Sequence, residues 1–190
     1  MSELEQYISS YFGVVDKNDL QKIGLLFKKT EIKKGEFYLK ASKTCKTLSF
    51  IQEGMLRIFV NTPDKEITQW ISTAGYFVTD LSSFINETPA RWNIQALNDT
   101  TIYSISKEDY TSISSIVPIW NELEKMFLIK CFTYLEDRIF SHLSMSAEER
   151  YQFFYDQNKE LFNQVPLQYI ASMLGMTPET ISRIRKKQLN

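Results

Sequence analysis

The sequence predicts an α+β protein in which helices flank an antiparallel β region, and three observations carry that prediction. Apolar residues recur at helical spacing over residues 3–28, alternate from about Lys29 to Ser106, and return to helical spacing from there on. Glycines 35, 54 and 75 punctuate the alternating stretch at roughly 20-residue intervals, the rhythm of short strands and turns. Capping-box spacings at Ser106 to Asp109 and Ser146 to Glu149 mark where helices begin again.

The first stretch holds Leu4, Tyr7, Ile8 and Tyr11, then Leu20, Ile23, Leu26 and Phe27, and so reads as helical from 3 to 28. In the β block the alternation is clearest at Leu56, Ile58 and Val60, and "RWNIQALNDTTIYSISKEDY" continues it, which predicts an all-β sandwich or barrel. Pro118 opens a long helix running to about Ser144. Its residues Met126, Phe127, Leu128 and Ile129 are consecutive and therefore point to every side of the axis, so the helix needs cover on two sides. One cover is its own β region. The other is either the same helix of a second subunit, with Trp120, Leu123, Phe127, Cys131, Tyr134 and Leu135 near the seam, or the interior of a monomer. Helical stretches around 147–156 and 158–163 then lead to Pro166.

Composition narrows the function. Of 190 residues, 43% are hydrophobic and 24% charged, the balance of a globular protein with a sizeable core. No apolar run approaches the roughly 20 residues of a membrane span, and "MSELEQYISS" lacks the basic-then-apolar order of a secretory signal, so a cytoplasmic protein is expected. Cys45 and Cys131 lie far apart without CxxC spacing, which argues against a zinc or iron-sulfur site within one chain and for two free thiols. His142 is the single histidine, and no Ser/His/Asp, Cys/His or phosphate-loop arrangement is present, so neither an enzyme nor a resident cofactor is expected. Net charge is −1, but its placement is uneven. From Pro166 to Asn190, Arg183, Arg185, Lys186 and Lys187 stand against Glu179, a net +3 that leaves −4 for the rest.

That basic end also carries the sharpest turn signals. Leu167 to Leu174 reads as a short helix stopped by Gly175, Thr177 as the N-cap of a second helix and Pro178 as its first residue, which together make a helix-turn-helix. At about 100° per residue, Ile181 and Ile184 share the inward face. Glu179, Ser182, Arg183 and Lys186 fall opposite, with Thr180, Arg185 and Lys187 on the flanks. These types suit a DNA major groove: Arg bonds guanine O6 and N7 together, Glu accepts from cytosine N4, and flanking cations meet phosphates. The plainer alternative is a solvated amphipathic helix.

The segment "IASMLGMTPETISRIRKK", residues 170–187, resembles the helix-turn-helix of the Crp/Fnr family of bacterial transcription regulators, and the preceding chain is similar to that family throughout. The resemblance implies a cyclic-nucleotide-binding-type sensor, an antiparallel β-roll of jelly-roll type, over residues 1–116. It places a dimerisation helix over 117–145 and a DNA-binding unit over 146–190. It implies a homodimer on double-stranded DNA, with RNA polymerase as a further partner and an effector it does not name. Family positions matching Glu179, Ser182 and Arg183 contact bases and would read TTGA-type half-sites; Thr177, Thr180, Lys186 and Lys187 complete the expected DNA surface. Pro178 stands where cyclic-AMP-responsive members often carry Arg. No β-hairpin wing is evident, because "YQFFYDQNKELFNQ" reads as helical, so a trimmed helical bundle is expected with two recognition helices roughly 34 Å apart in a dimer. A change in the β-roll would act through the packing around Met126 to Ile129. The rival reading is a β-roll binding module, for a small ligand or a protein partner, that no longer reads DNA.

In the family, the phosphate of cyclic AMP is held after a Gly-Glu pair by backbone N–H groups and by an Arg followed by Ser or Thr. Setting "NIQAL" on the strand that closes this cassette puts Thr79 and Asp80 where Gly-Glu belongs, and Ala90 and Arg91 where Arg-Ser belongs. Arg91 is thus one residue out of register, which on a strand turns a side chain to the opposite face. With no cation opposite, Asp80 repels a phosphate. A regulator unresponsive to cyclic AMP is expected, with Tyr76, Phe77, Thr79, Asp80, Arg91 and Trp92 lining an altered pocket. For each aromatic, ordinary core packing is the alternative.

Overall fold

The computed structural model describes residues 1–14 and 16–188, the Gln188 side chain excepted. Two helices open the chain, α1 (Glu3–Phe12) and α2 (Lys17–Gly24). The stretch 3–28 is therefore not one helix. Gly13 takes φ +72°, a left-handed conformation that stops α1, and the Asp16 carboxylate then caps α2 by accepting from the Asn18 and Asp19 N–H groups.

Eight strands follow among the described residues: β1 (Lys28–Ile32), β2 (Phe37–Leu39), β3 (Thr47–Glu53), β4 (Leu56–Asn61), β5 (Glu66–Ser72), β6 (Phe77–Val78), β7 (Asn93–Ala96) and β8 (Thr100–Ser106). A short helix, α3 (Leu81–Asn86), lies between β6 and β7. The strands form two four-stranded sheets, ordered β1-β8-β3-β6 and β2-β7-β4-β5. β8 runs antiparallel to both neighbours, pairing Thr30 with Ile102 on one side and Ser49 with Ser104 on the other. Successive strands mostly switch sheets, so the chain wraps as a jelly roll and the sandwich is realised rather than a closed barrel.

The rest is helical: α4 (Lys107–Ile116), α5 (Trp120–Ser144), α6 (Ala147–Gln157), α7 (Leu161–Gln164), α8 (Leu167–Met173) and α9 (Pro178–Gln188). Strand gives way to helix at Ser106, whose hydroxyl accepts from the Asp109 N–H at 3.0 Å. The Asp109 carboxylate accepts from that same hydroxyl at 2.8 Å, so half of a capping box forms there, whereas both halves form at Ser146 and Glu149.

The chain makes two compact units, residues 1–58 with 71–131 and residues 59–70 with 132–190. These do not follow the expected boundaries at 116/117 and 145/146. α5 gives its first half to one unit and its second half to the other, and the end of the β4–β5 hairpin joins the second unit. In the first unit Leu48, Phe50, Leu56 and Ile94 from the sheets pack with Ile8, Leu20 and Ile23 of the opening helices and with Phe127 of α5. In the second, Tyr151, Leu161, Ile170, Met173, Ile181 and Ile184 are buried. The hairpin end is tied in there by the Thr68 N–H, which donates to the Ser172 hydroxyl at 2.9 Å. Trp70 packs with it, 5.2 Å from the Arg138 guanidinium and 6.4 Å, edge on, from the Phe154 ring. Among the described residues no helix is long and apolar enough to cross a membrane.

Candidate nucleic-acid interface

α8 ends in a Schellman turn. Gly175, at φ +69°, donates its N–H to the Ser172 carbonyl at 3.1 Å, and the Met176 N–H reaches back to the Ala171 carbonyl at 2.8 Å. Thr177 then caps α9 by accepting from the Thr180 N–H at 3.3 Å, and Pro178 takes the first helical position, where its missing N–H has no partner to lose. Ile181 and Ile184 are buried, and this fixes which side of α9 faces out: Glu179, Ser182, Arg183 and Lys186 are all exposed, Thr177 with them, and Thr180 is half-buried. The Glu179 carboxyl is held below the usual carboxylate range by its own backbone N–H and the Thr177 hydroxyl, so the face presents a fixed negative charge beside two cations.

The two flanking cations differ from these. Lys187 is exposed but its Nζ lies 2.8 Å from Glu148 Oε2, an exposed pair of the kind worth about 0–1 kcal/mol, which yields easily to a phosphate. Arg185 is half-buried; its Nε donates to the Tyr151 hydroxyl at 3.1 Å and its guanidinium lies 5.2 Å from the Phe162 ring centre. The sequence reading missed this engagement.

In the cassette, Asp80 is 6% exposed and both of its oxygens are occupied. One accepts from the Ser83 N–H at 3.1 Å, capping α3, and the other from the Arg91 N–H at 3.0 Å. The Thr79 hydroxyl donates to the Thr47 carbonyl at 2.9 Å and lies 3.2 Å from Cys45 Sγ. The other four residues expected around a pocket do not converge. Phe77 packs in the core, 4.8 Å from Phe127; Tyr76 is exposed; Arg91 is exposed with its guanidinium 5.1 Å over the Trp92 ring. A cavity of about 400 Å³ does lie in this unit, but Tyr38, Thr47, Ile102 and Ser104 are among its walls and none of the six expected residues is. The expected pocket is corrected accordingly: Phe77 is turned into the core, Tyr76 and Arg91 lie at the surface, and the Asp80 carboxylate is spent on its own loop.

α5 requires a second correction. Trp120 and Phe127 are buried in the first unit, where the Phe12 ring lies 4.7 Å from one and 4.5 Å from the other. Leu123 and Cys131 pack half-buried against the same core. These four, expected at a subunit seam, cover their own β-roll, because the sheet region takes the stripe that begins at Trp120. Tyr134 and Leu135 are exposed. Leu135 belongs to a separate exposed apolar stripe, Leu128, Phe132, Leu135, Ile139 and Leu143, spaced by three and four residues.

Comparison with known proteins bears on the roll first. Residues 29–115 match the family model of the cyclic nucleotide-binding domain. No curated protein matches the chain in sequence. Among solved structures, FixK2 of Bradyrhizobium japonicum is 17% identical over 85% of this chain and 83% of its own, with a TM-score of 0.70. The c-di-GMP responsive global regulator CLP of Xanthomonas campestris is 16% identical over 92% of both chains, with a TM-score of 0.69. The catabolite activator protein of Thermus thermophilus is 19% identical over 93% of this chain and 85% of its own, with a TM-score of 0.58. At such identities the likeness establishes the fold alone, helices around a jelly roll with a helical C-terminal part, and within that fold residues 29–115 are the part similar to the cyclic nucleotide-binding domain.

Proposed function

We propose that the chain is a sequence-specific DNA-binding transcription regulator that acts as a homodimer and does not depend on cyclic AMP. The observation that carries this reading is the outward face of α9, where two buried isoleucines turn Glu179, Ser182, Arg183 and Lys186 out together. Glu179 and Arg183 are one helical turn apart on that face and have the chemistry to read a cytosine and a guanine. The exposed stripe from Leu128 to Leu143 supports a second copy as partner, since an apolar seam of this spacing is covered by another helix. Independence from cyclic AMP is supported by Asp80: the N–H groups of Ser83 and Arg91 already have a tethered anion, which a phosphate must displace.

The test is selection of bound sequences from a random DNA pool at moderate salt, without nucleotide, by the wild type and by Arg183→Ala. A two-fold symmetric site, recovered by the wild type and lost or relaxed in the variant, is the expected result, with about 1–3 kcal/mol lost per guanine contact. Recovery of no sequence, with or without cyclic AMP, overturns the reading in favour of a β-roll binding module.

A further inference from the structure

Four cations lie on α9, and the structure divides them by what they touch. Arg183 and Lys186 project outward, while Arg185 sits at the rim of the inward face, between Tyr151 and Phe162. Tyr151 is buried and is itself fixed from two sides, stacked 5.6 Å from Tyr155 and edge on at 5.7 Å to Phe162. Phe162 closes the cluster at 5.1 Å from Tyr155. A guanidinium held against a ring face with its Nε–H aimed at a hydroxyl is a directional contact that a lysine cannot reproduce.

Ile181 and Ile184 set the inward face of α9 by hydrophobic contact, which is non-directional and so fixes the roll of the helix about its axis less sharply than a directed hydrogen bond does. A roll of roughly 10° moves a group about 6 Å from the axis by about 1 Å, enough to break bidentate hydrogen bonds to a base edge. Resting on the DNA-reading function proposed above, we infer that Arg185 is a positioning residue: its contact with Tyr151 and Phe162 sets the roll of α9, and so which base edges Glu179 and Arg183 reach, while contributing no phosphate contact. A basic residue that the charge pattern assigns to DNA is then part of the support behind the reading face.

The experiment uses the full chain with Arg185→Lys, Arg185→Met, Tyr151→Phe and, for comparison, Lys186→Met. Without DNA, the Arg185 Nε–H of the wild type gives an NMR resonance displaced by the rings and slow to exchange, and Tyr151→Phe restores fast exchange. A wild-type resonance that exchanges freely overturns the inference whether or not the chain binds DNA. With the selected site, Arg185→Lys and Tyr151→Phe each weaken binding by about tenfold and flatten discrimination against single-base variants, with the salt dependence unchanged. Lys186→Met lowers the slope of log affinity against log salt by about 2 per dimer, as loss of one phosphate contact per subunit requires. If Arg185→Lys keeps full affinity, or Arg185→Met lowers the slope as much as Lys186→Met does, Arg185 is a phosphate contact and the inference fails. A wild type that selects no DNA removes the proposed function, and the exchange measurement alone then decides whether Arg185 is held.

Discussion

Asp80 and Glu179 are both acidic residues at the entry of a helix, one to α3 and one to α9, and the fold treats them oppositely. Asp80 is enclosed, and each of its oxygens accepts a backbone N–H of its own loop. Glu179 also has its own backbone N–H and the Thr177 hydroxyl as partners, but it is exposed, so its remaining lone pairs are open to whatever meets it. The two stripes of α5 differ in the same way, Phe127 being fully covered by its own unit and Leu135 left half exposed. A residue type at a helix entry, or on an apolar stripe, is therefore neither scaffold nor contact until its covering is known.

The contrast is sharpest on α5. Phe127→Ala should cost about 3–5 kcal/mol in urea unfolding, as for other buried aromatic deletions. Leu135→Ala, measured where the chain is monomeric, should cost less than about 1 kcal/mol but weaken self-association in sedimentation equilibrium. Equal stability losses would erase the distinction between the stripes. Next comes Asp80→Ala, which leaves two enclosed N–H groups without their anion and should cost roughly 1.5–3 kcal/mol, with Asp80→Asn costing less because one acceptor oxygen survives. An Asp80→Ala protein as stable as the wild type would show the cassette to be held by other contacts. The smallest effect on stability belongs to Glu179→Gln, within about 0.5 kcal/mol, while its effect falls on base discrimination. Since the Glu179 carboxyl titrates below the usual carboxylate range, its charge is present above that range and is lost only as pH falls through it. Wild-type discrimination that fades already at mildly acidic pH would contradict this.

Much of the fold was readable. Caps and turn glycines are local chemistry, so the change from strand to helix at Ser106, the start of α6 and the whole α8-turn-α9 unit follow from a few residues each. The break between α1 and α2 was written as plainly, in Gly13 and Asp16, but helical periodicity on both sides masked it. The seam on α5 and the pocket were not readable for a different reason. A helix apolar all round offers several equivalent stripes, and only the three-dimensional sheet decides which one is covered. Arg185 escaped because its partners are 23 and 34 residues away in sequence, at Phe162 and Tyr151, and no local pattern links them.

Residues 59–70 belong to the second compact unit although they interrupt the first along the chain. The consequence concerns inheritance. A C-terminal segment exchanged between relatives by recombination anywhere along α5 would arrive without its own hairpin, and a foreign residue would stand where Trp70 meets Arg138 and Phe154 and where the Thr68 N–H meets Ser172. The two stretches must change in concert, so no single cut along the chain separates the C-terminal unit whole.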